Sequence, residues 1–426
     1  MEFLDRASFF VFSARDTIDR MNGICICVDR LHAGFVGAYG STWVQTPALD
    51  RMAADGVVFD QFHVDSLELD SLYRSYWYGR HALESGSERV LDSQSLPALL
   101  RAHSVKTVLA TDEPGITSLP GVEEYDERFL LPEPCETEPA QAIEATHLAR
   151  CFAQLIQKVE SLEGPFFLWC HLSSLGRVWD APWEMRSRYA EADDPDPPSG
   201  AVVPCRSMET DEDPDVLLGV AQSYAGQITL LDLCIGALAD ALVEAGLDRE
   251  TAMAVIGMRG MALGEHGYVG PSDERLDGEV VHVPFMIRLA DRATASTRSH
   301  ELVQPPDLYP TWLNLLTEEV TPPRLSAADL TPLFHDEMPL WRDRLGLAGC
   351  GAQQGVRTPA WYLTTGSTSR LFAKPDDRWE VNDVADRHAD IAELLVKTLG
   401  DYVAQLSTAD LGELVPLDEV LRNGVD

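Results

Sequence analysis

Positive charge is what this sequence has least of. Its 33 lysines and arginines face 69 aspartates and glutamates, a formal net charge of −36, and its isoelectric point is near 4.5. Phosphate backbones and anionic lipid surfaces repel such a chain, so neither nucleic acid nor a membrane is an expected partner. Long apolar runs are lacking too, none reaching the roughly 18–20 residues of a spanning helix. The opening residues carry Glu2 and Asp5 where a secretory leader has cations, and the apolar stretch Ala7–Ala14 is short and broken by serines, so no cleaved leader is expected. The eight cysteines include no C-x-x-C pair. Cys25, Cys27, Cys170 and Cys234 stand in apolar surroundings and read as small hydrophobes, which points to a reducing, cytoplasmic compartment. Internal repeats and low-complexity tracts are absent.

What is present suffices for a sizeable core. Apolar residues make up 45% of 426, a length for two to three domains or one large α/β domain with an appendage. Short β-branched runs alternate with helical periods, which predicts a mostly parallel sheet between helices. Strands are predicted at Gly23–Val28, Val57–Val64, Lys106–Thr111, Pro165–Leu172, Thr251–Gly257 and Val283–Arg288, the last two closing the main sheet. Helices are predicted at Pro47–Asp55 behind a Thr46 cap, Ser71–Tyr78, Leu96–His103, 140–162, 216–245 and Pro306–Leu316. The acidic, Pro-rich stretch 190–215 reads as a surface excursion. Beyond about 335 the texture changes to short strand candidates (Trp361–Thr365, Arg370–Ala373, Trp379–Val381) and a closing helix, 387–406. The predicted division is an N-terminal extension (1–21), an α/β domain (22–330) and a small C-terminal α+β subdomain (335–426).

Six collinear segments carry a resemblance. VDRLHAGFVGAYGSTWVQTPALDRMAADGVVFDQFHVDS, LPALLRAHSVKTVLATD, GPFFLWCHLSS, MRGMALGEHGYVG, VVHVPFMIR and WEVNDVADRHADIAELL are similar, in order, to segments of type I sulfatases in the alkaline phosphatase superfamily. The resemblance implies an α/β/α sandwich with a mostly parallel central sheet. It also implies a hard cation held by carboxylates at the sheet edge, a formylglycine made from C/S-x-P-S-R, and lysine and histidine around the sulfate.

Framework motifs of that family are intact in Tyr39-Gly40, Thr46-Pro47, Gly79-Arg80, Gly264-Glu265-His266-Gly267 and Val283-Pro284, but its chemical residues are largely replaced. The first metal aspartate persists as Asp29, followed by Arg30 where the family has a second. Counting back from Gly79-Arg80 puts the nucleophile position at Leu69, in Leu69-Asp70-Ser71-Leu72-Tyr73. Allowing one deletion puts it at Asp70, with Arg74 as the arginine. Neither register supplies a cysteine or serine for formylglycine. The lysine and histidine after the third strand map to Asp112 and Pro114, a histidine in a later turn to Gly176 beside Arg177, the second metal pair to Met258-Arg259, and the lysine after G-E-H-G to near Pro271. Glu265 and His266 read as turn and hydrogen-bonding residues.

The set Asp29, Arg30, Leu69, Asp70, Ser71, Arg74, Asp112, Gly176, Arg177, Met258, Arg259 and His266 therefore reads as a vestigial pocket with no catalytic or metal-ligating residue and no cofactor. One remaining carboxylate is too few for a divalent cation. A stranded buried charge needs a partner, so Asp29 is expected within about 4 Å of Arg259 or Arg30. The second arginine would then stand partly free, with Arg177 and Arg74, as a site for a small anion, unless Glu68, Asp70 and Asp112 neutralise it. Two functions stay open: an inactive binding or regulatory homologue, with a sulfate- or phosphate-bearing ligand, a protein partner or a second copy, or a divergent sulfuric- or phosphoric-ester hydrolase with a non-standard site.

Overall fold

The computed structural model describes residues 21–84, 94–209, 211–321, 324–335, 341–406 and 413–425. The expected extension 1–21 lies outside them except for Met21. The central sheet takes β1 (Asn22–Asp29), β2 (Val57–Phe62), β3 (Lys106–Thr111), β4 (Glu127–Leu130) and β5 (Phe166–Leu172). Short β6 (Arg206–Ser207), β8 (Ala262–Leu263) and β9 (Tyr268–Gly270) form a separate small sheet around β7 (Thr251–Arg259), which returns to the central one. β10 (Phe285–Arg288) and β11 (Thr297–Val303) complete it, in the order β11-β2-β10-β7-β1-β5-β3-β4. All pairings are parallel except those of β10, antiparallel to both neighbours.

The hydrophobic alternation of the middle strands explains the layering. In β1, Ile24, Ile26 and Val28 join one core, while Cys25 and Cys27 join the other. The neighbouring β5 repeats this, with Phe166, Leu168 and Cys170 on the first face and Phe167 and Trp169 on the second. A sheet covered on both faces needs apolar side chains at every position, which is why these strands read as continuous runs. Helices Pro47–Ala54, His147–Glu160 and Pro214–Glu244 cover the first face, and Leu69–Tyr78, Leu96–Ala102 and Leu308–Thr317 the second. Pro214–Glu244 is long and apolar enough to cross a membrane by length and composition, contrary to the expectation of no such stretch, but most of its apolar window is buried in the protein core.

A C-terminal antiparallel sheet follows, β12 (Leu345–Ala348), β13 (Gln354–Arg357), β14 (Trp361–Thr364) and β15 (Arg370–Ala373), backed by the helix Ala389–Gln405. It is tied to the sandwich by Ala348 N donating to Asp65 O at 2.8 Å and by Tyr362 Oη donating to Leu276 O at 2.7 Å.

Several expected elements are corrected. The helix predicted over 140–162 begins only at His147, because Thr146 adopts extended backbone and caps it by accepting from Ala149 N. Thr46 does occupy the position before Pro47, but its hydroxyl accepts from Gly37 N and donates to Asp50 instead of capping. Trp379–Val381 is turn and loop, not strand. β11 follows the two strands expected to close the sheet.

Candidate functional site

The C-terminal ends of β1 and β7 lie side by side, and their register decides what meets there. Pairing runs one to one from Asn22↔Thr251 to Val28↔Gly257, then a bulge passes over Met258 so that Asp29 faces Arg259. Without it the buried Met258 would stand opposite the carboxylate. With it, Arg259 Nε donates to Asp29 Oδ1 at 2.9 Å and Nη2 to Oδ2 at 2.5 Å, a bidentate fork. The expected carboxylate–guanidinium contact is therefore present.

The second arginine is not free. Arg30 is 3% exposed, with Nε 3.7 Å from Asp29 Oδ2, Nη1 donating to Ser272 O at 3.0 Å and Nη2 paired with Asp273. Asp273 also accepts from Arg259 Nη1 at 3.0 Å. Two carboxylates and two guanidiniums thus form a neutral tetrad across the sheet edge. Burial alone would push the Asp29 carboxyl up, but Arg259 and then Arg30 outweigh it and hold the group well below the usual carboxylate range. The expected free cluster of arginines is overturned: Arg177 pairs with Glu113 at 3.0 Å, and Arg74 donates to Ser71 Oγ at 3.3 Å.

Asp273 was not identified from the sequence, although two buried arginines demand two negative charges and it lies two residues beyond Pro271, where the family's lysine would fall. His171 and Tyr73 were missed as well. Tyr73 Oη and His171 Nδ1 share a hydrogen bond of 2.8 Å beneath Asp29, and burial, partly offset by Asp29, pulls His171 down to about 4.

The remaining sequence-predicted residues lie around this tetrad. Leu69 opens the helix Leu69–Tyr78, Asp70 faces solvent, and Ser71 is buried. Gly176 lies against Arg30, since a Cβ there would sit 2.8 Å from Arg30 Cγ. Asp112, the residue after β3, is buried, accepts from Ser173 N at 2.6 Å, and is lifted by burial to about 6. Glu265 meets His32 Nε2 at 3.1 Å, and His266 Nδ1 meets Glu279 at 2.9 Å.

Among the described residues, two side-chain sets approach closely enough to share a metal, Asp112–His147–Cys151 and His266–Asp277–Glu380. Neither includes Asp29. The family's cation does not fit at the β1 edge, where both Asp29 oxygens are occupied by a guanidinium and a second guanidinium stands beside them.

The Glu279 carboxylate, followed by partial burial acting the other way, raises His266 to about 9 from an ordinary 6.5. A raised folded value contributes stability in full below about 6.5 and loses it as pH climbs through about 9. His266→Gln is expected to flatten this alkaline loss. Denaturant midpoints at pH 6, 7.5 and 9.5 check it, and parallel wild-type and variant profiles would refute it.

A mostly parallel sandwich with a buried carboxylate at the end of its first strand has the alkaline phosphatase-like fold. The family profile described as Sulfatase matches residues 21–318, so the chain belongs to the sulfatase family. Solved structures agree in fold. The phosphonate monoester hydrolase of Agrobacterium radiobacter is 17% identical with a TM-score of 0.76, covering 91% of this chain and 96% of that one. The phosphonate monoester hydrolase from Silicibacter pomeroyi is 17% identical with a TM-score of 0.72, covering 96% and 100%. A 2-O GAG sulfatase is 16% identical with a TM-score of 0.69, covering 95% and 96%. No curated protein matches the chain.

Proposed function

We propose that this sulfatase-family chain binds rather than hydrolyses, as an inactive homologue with a binding or regulatory role. The observation that carries the reading is the tetrad: Asp29 gives both oxygens to Arg259, and Arg30 and Asp273 close the remaining space. Catalysis in this family needs a cation to activate and orient, and a nucleophile to attack. Here the first position is filled by side chains, and either register of the second gives Leu69 or a solvent-facing Asp70. The partner we propose is a sulfate- or phosphate-bearing small molecule, with a protein partner or a second copy as its regulatory target. Eight free cysteines support a cytoplasmic setting.

The test pairs turnover with elemental analysis. Aryl sulfate, aryl phosphate and a phosphonate monoester, the last suggested by two of the structural neighbours, are expected to react no faster with wild type than with Leu69→Ala or Ser71→Ala. Turnover near a typical enzyme's ~10 s⁻¹, lost in either variant, would establish the divergent hydrolase instead. So would one equivalent of Ca²⁺, Mg²⁺, Mn²⁺ or Zn²⁺ that dissociates on Asp29→Asn.

A further inference from the structure

Beside the neutral tetrad, the same sheet edge carries a second feature whose lining is richer in cations than in carboxylates. A cleft of about 310 Å³ opens over the ends of β2 and β10, roofed by the segment after β15. His63, just past β2, and His282, just before β10, stack at its base with ring centroids 4.9 Å apart. The volume is within the range of small-molecule sites.

Its charges do not cancel. Each lining carboxylate has its own cation: Asp60 has Arg298 and His300, Glu279 has His266 at 2.9 Å, and Glu380 has Lys374 at 3.0 Å. Arg357 and Arg378 remain, and among the described residues neither has a carboxylate in ion-pairing range. Arg357 is 6% exposed and donates only to the carbonyls of Thr358 and Trp361. Burial pulls it down to about 10, so it stays charged at neutral pH. Arg378 is exposed, lies 5.0 Å from the Trp379 ring centroid and donates to Tyr39 O at 3.3 Å.

The histidines register the resulting field. Burial first, then His282, Arg357 and Lys374, hold His63 well below its ordinary range. Burial brings His282 to about 4, with Arg378, Arg357 and Lys374 adding to the effect. Both rings are therefore neutral and add no charge of their own to the cleft. In a chain of net charge −36, a cleft lined by two guanidiniums that no carboxylate pairs directly, the buried Arg357 being offset only through space by Glu380, suits an anion. A buried guanidinium without a directly paired counter-charge is unfavourable, and a bound oxyanion would relieve it.

We propose that this cleft binds a tetrahedral oxyanion, a phosphate or sulfate group either free or as a monoester, between Arg357 and Arg378. The inference deepens the binding reading above by naming the site and the ligand class, and it relocates the anion from the arginines of the tetrad, which are all paired. The experiment is calorimetric titration of the full chain with inorganic phosphate, inorganic sulfate and phenyl phosphate, at constant ionic strength near about 0.15 M. One saturable site is expected. Arg378→Ala removes an exposed side chain and leaves the fold intact, and it is expected to weaken binding by roughly 10-fold. Arg177→Ala, outside the cleft, is expected to leave binding unchanged. Tighter binding of phenyl phosphate identifies an esterified ligand, and equal binding a free anion. No saturation up to tens of millimolar, or an Arg378→Ala affinity equal to wild type, would overturn the proposal. Hydrolysis of phenyl phosphate that depends on Ser71 would instead remove the inactive-homologue reading and leave the binding site standing.

Discussion

Asp29→Ala is expected to lower the unfolding free energy by about 3–5 kcal/mol, because it leaves Arg259 and Arg30 buried with only Asp273 to share. That is a large fraction of a typical domain's total of about 5–15 kcal/mol. Replacing both halves of the fork by apolar side chains, Asp29→Leu with Arg259→Met, is expected to recover most of the loss, since an apolar pair strands no charge. Denaturant midpoints at unchanged m-value measure both. A loss in Asp29→Ala below about 1 kcal/mol would mean that the pair behaves like a surface salt bridge. Dependence on pH gives a second reading. The folded carboxyl is depressed below its ordinary 3.8, so its contribution is complete above about 3.8 and disappears as pH falls through the folded value. The difference between wild type and Asp29→Asn is accordingly expected to be constant from neutrality down to pH 4 and to shrink below it.

The legibility of this fold in the sequence follows burial. β3 and β15 begin and end where their residues predict, and β1 was recognised as a central strand, because a run apolar on both faces has few alternatives. Within the central sheet, the strands that the sequence does not announce, β4 and β11, are its two edges. In β4, ERFL alternates exposed and half-buried positions, and β11, TRSHELV, is largely polar. Edge strands carry such residues because their outer side faces water, so the signal that marks central strands is weakest there. The helix predicted from 140 starts only at His147, because the Thr146 hydroxyl caps it there. Trp379 and Val381 suggested a strand by composition, yet both are more than half exposed.

The site divides in the same way. Charge compensation at Asp29 could be anticipated because an unpaired buried carboxylate is untenable, and because two arginines occupied positions that converge in the family. The identity of the fourth member could not be read from motif positions, since Asp273 lies in a loop two residues from where the family supplies a cation. The cleft at Arg357 and Arg378 was invisible in the sequence for a topological reason. Its members come from β2, the approach to β10, and the C-terminal sheet, more than 300 residues apart in the chain, and no local spacing joins them.

Gly176 and Arg30 are expected to be energetically inseparable. A Cβ at position 176 would fall 2.8 Å from Arg30 Cγ, in the middle of a side chain that cannot swing away because its far end is held by Ser272 and Asp273. Gly176→Ala is therefore expected to destabilise by about 1–3 kcal/mol through overpacking. Arg30→Ala is expected to lose about 1.5–3 kcal/mol from the charge-assisted hydrogen bonds it abandons. Combined, the two are expected to fall short of their sum by about 0.5–3 kcal/mol, because the clash no longer exists once Arg30 Cγ is gone. Arg30 also sits at φ 65°, a left-handed backbone that asparagine and aspartate tolerate better than arginine. Free energies that add within about 0.3–0.5 kcal/mol would show the glycine and the arginine to be independent.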